Sequence, residues 1–289
     1  MTNKLSFLGL GIMGFPMAGH LSAAGHDVTV YNRTMARADT WLKTHRGHKA
    51  ATPAEAACDA DVVFACVGAD ADVREICLGP HGAFDAMKPG AVFVDHTTAS
   101  ASLARDLAEA AAARGLGFVD APVSGGQTGA EGGALTVMCG GAEGDYEKAR
   151  PLIDCYARML RLLGPAGSGQ TAKMVNQVCI AGVLQGLSEA LHFCIESGLD
   201  PDAVVEVISQ GAAQSWQMDN RAATMRKGEF DFGFAVDWMR KDLAIVLDEA
   251  RRRNISLPLT ALVDQFYNDV QNMGGGRQDT SSLIRRFRG

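Results

Sequence analysis

The sequence predicts an α/β domain over residues 1–165 and an all-α domain over residues 166–289, joined by one long helix at about 168–197. Three observations carry this reading. Strand-like and helix-like patterns alternate from Leu5 to Leu163, as they do where helices cover a parallel sheet. After Ser168 only helical periodicity remains. Between these halves, helix formers fill Ala172 to Glu196, with Gly182 and Gly186 as the only breaks. At 289 residues the chain is long enough for two domains with a sizeable core.

The first element is the short apolar strand Leu5-Ser6-Phe7-Leu8. It runs into Gly9-Leu10-Gly11-Ile12-Met13-Gly14, a G-x-G-x-x-G turn. Met17, Ala18 and Leu21 then recur at helical spacing, and Asp27–Tyr31 reads as a second strand. Strand, glycine turn, helix and strand within about 30 residues form the context of a Rossmann dinucleotide site. The first glycine permits the tight turn, the second lets the backbone approach a pyrophosphate, and the third lets helix and strand pack closely. Gly9, Gly11, Ile12, Met13 and Gly14 are therefore cofactor-binding candidates. The competing reading is a glycine-rich turn with no ligand. The end of the second strand selects the cofactor. An NAD site usually places Asp or Glu there for the ribose 2′-hydroxyl, whereas here the residues are Asn32, Arg33 and Thr34. Arg33 is read as the only cation at that strand end. It favours NADP, with NAD possible, because a guanidinium suits a 2′-phosphate.

The alternation continues with the buried strand Ala60–Val67, a helix near Ala71–Ile76, and the strand Ala91–Asp95. An alanine-rich helix over Ser102–Arg114, the strands Gly117–Asp120 and Ala134–Cys139, and a helix with a last short strand in Asp145–Leu163 follow. Ligands in such sheets bind beyond the carboxyl ends of the strands. Val67-Gly68, Thr97-Thr98 and Ser124-Gly125-Gly126 all fall there.

Gly and Pro crowd Gly164–Gly169 and then give way to the long helix, with Ser168 as its expected N-cap. At about 1.5 Å per residue the helix spans roughly 40 Å. Lys173 lies on its first turns, where the positive end of the helix dipole disfavours a charged amine. That suits a proton donor and acceptor, although on these residues alone a solvated surface lysine is the favoured reading.

The second half reads as helices over Leu199–Gln210, Trp216–Met225, Trp238–Asn254 and Thr260–Gln271. Met239, Leu243, Val246, Leu247 and Ala250 share one face and are expected in the core, while Arg240, Lys241 and Asp242 interrupt that pattern. Trp216, Gln217, Phe232 and Phe234 are candidates for a pocket wall, with plain core packing the alternative for the aromatics.

Composition narrows the partners. A net charge of −6 argues against nucleic acid, which needs a basic face. Arg285-Arg286-Phe287-Arg288 is the one basic cluster and reads as a solvated tail. The seven cysteines show no Cys-x-x-Cys pair, and five sit in apolar company, so reduced buried thiols and a cytoplasmic setting are expected. His45 and His48 form an H-x-x-H with no third ligand nearby, so no metal site is expected. No signal peptide is recognised and no apolar run approaches 18 residues, so no membrane partner is expected.

Four motifs together resemble the β-hydroxyacid dehydrogenase family, which includes 3-hydroxyisobutyrate dehydrogenase, tartronate semialdehyde reductase and glyoxylate/succinic semialdehyde reductase. They are Gly9–Gly14 with Pro16-Met17, Asp120-Ala121-Pro122-Val123-Ser124-Gly125-Gly126, Gly169-Gln170-Thr171-Ala172-Lys173, and Lys241-Asp242-Leu243. The resemblance covers nearly the whole chain. It implies that Lys173 is the catalytic proton donor and acceptor, and that Ser124, Gly125 and Gly126 hold the substrate carboxylate. It also implies that Thr98 and Lys241 contact the cofactor, and that the substrate is a small anionic hydroxy acid or semialdehyde. A homodimer or homotetramer is expected on the same ground. The chain departs from the family four residues after the lysine, where Asn is common: here Gln177 stands at that position and Asn176 precedes it. Either amide can orient a substrate oxygen. An imine reductase and a non-catalytic dinucleotide-binding scaffold share the fold. Lys173 and the complete Ser124-Gly125-Gly126 segment argue against the scaffold, and Lys173 argues against the imine reductase, a family that usually replaces the lysine.

Overall fold

A computed structural model describes residues 2–287. The chain divides into two compact units, Met1–Lys173 and Met174–Gly289.

The first unit opens with β1 (Lys4–Leu8), α1 (Gly14–Ala23), β2 (Asp27–Tyr31), α2 (Met35–Leu42) and β3 (His48–Lys49). It continues with α3 (Pro53–Ala57), β4 (Val62–Ala65), α4 (Asp70–Leu78), β5 (Val92–Asp95), α5 (Ala101–Ala112) and β6 (Gly117–Asp120). Six strands lie in the order β3-β2-β1-β4-β5-β6, all parallel, with the order reversing between β1 and β4. This is the doubly wound dinucleotide-binding arrangement, with its crevice at the reversal. Strand residues alternate between two buried faces. Phe7, Val62, Phe64 and Val94 enter one core, while Leu8, Val63, Ala65 and Phe93 enter the other. Apolar runs buried on both sides are what a covered parallel sheet requires.

The unit ends with β7 (Val123–Ser124), α6 (Gly126–Glu131), β8 (Leu135–Gly141), α7 (Glu143–Ile153) and β9 (Ala157–Leu162). Here β8 runs antiparallel to β6 and β7, and β9 runs parallel to β8.

The long helix is α8 (Ser168–Glu196). Ser168 is its first residue and not the flanking cap the sequence suggests; the true acceptor is Asp120, described below. Among the described residues α8 is the one helix long and apolar enough to cross a membrane, which corrects the expectation that no such run exists. It is nonetheless a packed protein helix. Ala181 and Leu184 join Val236, Met239, Leu243, Val263 and Tyr267 in a core of the second unit.

The second unit continues with α9 (Pro201–Ile208), α10 (Trp216–Lys227), α11 (Val236–Arg252), α12 (Pro258–Asn272) and a 3-10 helix at Thr280–Phe287. Asp200 and Ser215 cap α9 and α10 through their side chains, and Pro201 and Pro258 occupy first-turn positions where a missing N–H costs nothing.

Three expectations need correction. The Arg285-Arg286-Phe287 segment is docked and not a solvated tail: Arg286 bonds Asp269 at 2.9 Å and lies 3.6 Å over the Phe266 ring. Its last member, Arg288, lies outside the described residues. Only Cys77, Cys139 and Cys194 are buried, while Cys66 and Cys155 are half-buried and Cys58 and Cys179 exposed; all seven are free thiols. Trp216, Phe232 and Phe234 are not core residues either. Arg221 lies 4.9 Å over Trp216 and 4.8 Å over Phe232, so these exposed rings clasp a guanidinium. His45 packs on Phe15 and Trp41, while His48 faces Asp27.

Candidate active site

Strand register aligns the carboxyl ends in the first unit. Leu8 pairs with Tyr31 and Ala65, Ala65 with Asp95, and Asp95 with Asp120. The residues that follow each of these, from Gly9 to Ala121, therefore emerge along one edge of the sheet.

The glycine turn has the geometry its motif implies. Gly9 has φ 99°, and a Cβ there would collide with the Cys66 carbonyl oxygen on the neighbouring strand end. A Cβ on Gly14 would collide with the Gly9 carbonyl and the Phe7 ring, so α1 approaches β1 closely only because residue 14 is glycine. Gly11 differs: a Cβ there would meet nothing within 4 Å. Its small size serves no protein contact and leaves backbone open for a ligand. Met13 flanks the start of α1, and the adjacent Ile12 is 56% exposed. This cradle fits a dinucleotide pyrophosphate at a helix N-terminus.

Asn32 ties the turn to the end of β2. Its Oδ1 accepts the Leu10 N–H at 2.9 Å and its Nδ2 donates to the Thr34 carbonyl at 3.0 Å. Both ends of the amide are thus used within the protein. Arg33 is 87% exposed along its side chain and meets Asp72 at 3.1 Å. Thr34 flanks the start of α2, with no side-chain cap bond. Arg33 is not the only cation here, as the sequence suggests. Arg37, one turn into α2, donates from Nη1 to the Leu10 carbonyl at 3.1 Å. Helical spacing after Thr34 was the signal that could have found it.

On the other side of the crevice the Val67 N–H donates to Thr97 Oγ1 at 3.0 Å. Gly68 and Thr98 are half-buried beside them. Thr97 in turn gives its N–H to Asp95 Oδ1 at 2.9 Å. Burial pushes the Asp95 carboxyl up to about 7. His96 is buried, with Nδ1 2.6 Å from the Ala121 carbonyl and Nε2 2.8 Å from the Tyr156 hydroxyl. A carbonyl only accepts, so Nδ1 carries the proton and Nε2 accepts from Tyr156. Burial lowers the ring's pKa to about 4, so it is neutral near pH 7.

Lys173 is only 7% exposed, which removes the surface-lysine reading. Its helix is anchored by Asp120 at the end of β6. Asp120 Oδ1 accepts the Gly167 N–H and Oδ2 the Gln170 N–H, both at 2.8 Å. Burial pushes this carboxyl up to about 6, against the opposing pull of those amide bonds. Gln170 spans to the loop after β5, donating to the Thr97 carbonyl at 2.7 Å and accepting the Ala99 N–H at 3.0 Å. Neither Asp120 nor Gln170 was singled out from the sequence beyond its place in a motif.

Asp120 also leads through Ala121 and Pro122 into β7, which ends at the half-buried Ser124. Gly125 and Gly126 follow with φ 134° and 61°, both exposed. Successive backbone N–H groups in such a turn suit an anion.

The second unit gathers its candidates around Asp242, which is buried on α11. Gln177 Nε2 donates to Asp242 Oδ2 at 2.6 Å, and Lys241 Nζ lies 3.2 Å from Asp242 Oδ1. Since the carboxylate accepts, the Gln177 oxygen must face the other way, where it takes the Asn176 Nδ2–H at 2.8 Å. The Gln177 amide is thus spent on protein partners, and Asn176 keeps its carbonyl oxygen for another donor. Asp242 was missed as a site residue, although a carboxylate interrupting an apolar helical face was the available signal.

The comparisons agree with this architecture. Residues 4–164 match the family model described as the NAD binding domain of 6-phosphogluconate dehydrogenase. Residues 167–287 match that described as NAD-binding of NADP-dependent 3-hydroxyisobutyrate dehydrogenase. The chain is 60% identical over 284 residues to an uncharacterized oxidoreductase of Shewanella frigidimarina, covering 98% of each chain. It is 34% identical to 2-(hydroxymethyl)glutarate dehydrogenase of Eubacterium barkeri, covering 98% of this chain and 94% of that one. Among solved structures, Mycobacterium tuberculosis 3-hydroxyisobutyrate dehydrogenase with L-serine superposes with a TM-score of 0.92 at 28% identity, covering 100% of both chains. With its nicotinamide-dinucleotide fold and its matches over both halves, the chain belongs to the β-hydroxyacid dehydrogenase family, as a hydroxyacid dehydrogenase of the 3-hydroxyisobutyrate dehydrogenase type.

Proposed function

We propose that this enzyme interconverts a small anionic hydroxy acid and its aldehyde or semialdehyde, prefers NADP over NAD, and uses Lys173 as general acid and base. The observation that carries the reading is Lys173 itself: a buried lysine on the first turns of α8, next to the segment bonded to Thr97 and Ala99. When bound, the nicotinamide supplies or accepts the hydride. Gly9, Gly11, Ile12, Met13 and Gly14 would hold its pyrophosphate, Asn32, Arg33 and Thr34 its adenosine end, and Val67, Gly68, Thr98 and Lys241 the remainder.

The chain's own residues then have three tasks. Ser124 and the amides of Gly125 and Gly126 grip the substrate carboxylate. Asn176, held by its hydrogen bond to Gln177, orients a substrate oxygen. Lys173 stabilises the developing alkoxide as a cation and gives it a proton; in the reverse direction it receives the hydroxyl proton. Residues 1–165 serve in this reading as the cofactor domain and 166–289 as the substrate and oligomerisation domain. Exposed Val175, Val183 and Phe193 on α8 supply apolar surface for a homodimer or homotetramer.

The test is a panel of glyoxylate, the semialdehydes of tartronate, succinate and methylmalonate, their neutral aldehyde analogues and the corresponding hydroxy acids, each run with NADPH or NADP and with NADH or NAD. A carboxylate-bearing member should turn over best, and faster with the phosphorylated cofactor. Equal turnover of neutral aldehydes, or a preference for NADH, would contradict the reading.

A further inference from the structure

Asp120 has no task in the chemistry above, yet it is a fully buried carboxylate at the first turn of the lysine-bearing helix. A helix start leaves four N–H groups without partners, and a side chain just before the helix usually takes one or two. Here Ser168 sits inside the helix, and the acceptor comes from a different element: Asp120, at the end of β6, takes the Gly167 and Gln170 amides. Gln170 then fastens the same turn to the Thr97 carbonyl and the Ala99 amide beyond β5. The first turn of α8 is therefore pinned to two strand ends at once. One pin continues into Ser124-Gly125-Gly126, and the other holds the residues on either side of Thr98.

A lysine reaches its target through four flexible methylenes, so its amine is placed only as well as its backbone is. We infer that Asp120 and Gln170 are positioning residues that fix where Lys173 delivers its proton relative to the substrate-carboxylate turn and the Thr98 loop. The inference rests on the proposed role of Lys173. Replacing Asp120 by Asn turns one acceptor into a donor facing an amide N–H, which pushes the helix start away. Gln170→Ala removes only the second pin and leaves every helical amide bond intact.

The experiment is a double-mutant cycle. Single-turnover rates and NADPH affinity are measured for wild type, Asp120→Asn, Gln170→Ala, Lys173→Ala and the two doubles with Lys173→Ala, with thermal unfolding of each. Misplacement by about 1 Å can cost on the order of 100-fold, so Asp120→Asn should lower the chemical rate by roughly that factor and Gln170→Ala by about tenfold. NADPH affinity should hardly change, and neither substitution should cost anything further once Lys173 is alanine. If Asp120→Asn does not fold, the Gln170 arm gives the answer alone. The same fold-loss with and without Lys173 would overturn the inference, because these residues would then act on the fold or the cofactor. Near wild-type turnover of Lys173→Ala would remove the Lys173 reading itself, a failure visible before any Asp120 variant is considered.

Discussion

Two arginines converge on the carboxyl end of β2, where the sequence points to one. Arg33 extends into solvent and meets Asp72, while Arg37 bonds the Leu10 carbonyl beside the glycine turn. An exposed ion pair contributes little to stability, so Arg33 is free to exchange Asp72 for a phosphate. Charge-assisted hydrogen bonds contribute about 1.5–3 kcal/mol, so Arg33→Ala should raise the KM for NADPH by roughly 10- to 100-fold and that for NADH little. Steady-state kinetics with both cofactors checks this. Equal losses for both would show that the contact is not to the 2′-phosphate. Arg37, like Asp120, Gln170 and Asp242, was not legible as a candidate, because its partner lies on another element. The glycine turn was legible as a motif because its spacing lies within six residues, although the Cys66 carbonyl that excludes a side chain at Gly9 lies on another strand. Lys173 was half-legible: its place on a helix could be read, but its burial depends on packing that one segment does not contain.

At the scale of elements, β1, the glycine turn, α1 and β2 were legible because local pattern and chemistry agree there. The antiparallel course of β8 and the docked 3-10 helix were not, because they depend on pairing and on contacts such as Arg286 with Phe266. The Ser124-Gly125-Gly126 turn shows how the structure refines a sequence argument. A bulky side chain at Gly125 is a poor probe of the anion site, because φ is 134° and its Cβ would lie 3.1 Å from Leu135. Gly126 is the better position: φ is 61°, and a Cβ there would meet nothing within 4 Å. An L-residue in this left-handed conformation costs about 1–2 kcal/mol, which a well-packed domain tolerates. Gly126→Ala should therefore fold, bind NADPH normally, and raise the KM for the hydroxy acid because the methyl crowds the amides that meet the carboxylate. Calorimetry and substrate titration decide it. An unchanged KM alongside the expected loss of stability would move the anion site elsewhere.

At the scale of the whole molecule, the chain parts into its two compact units between Lys173 and Met174, within a helix that belongs to both. The first unit contains the glycine cradle, the Ser124-Gly125-Gly126 turn and the buried Lys173. The second, taken by itself, contains the Asn176-Gln177-Asp242-Lys241 network. Of the groups proposed to meet the substrate, only Lys173 has both a charge for the alkoxide and a proton to give. The most direct measurement is steady-state turnover of Lys173→Ala and Lys173→Arg on the preferred substrate, with NADPH binding followed by nicotinamide fluorescence. General acid–base catalysis contributes typically 10²–10⁴-fold, so Lys173→Ala should lose about that much turnover while NADPH binds as before. Lys173→Arg should stay impaired, because arginine keeps its proton at any working pH. Near wild-type turnover in Lys173→Arg would contradict the account: positive charge alone would then suffice, and another group would have to move the proton.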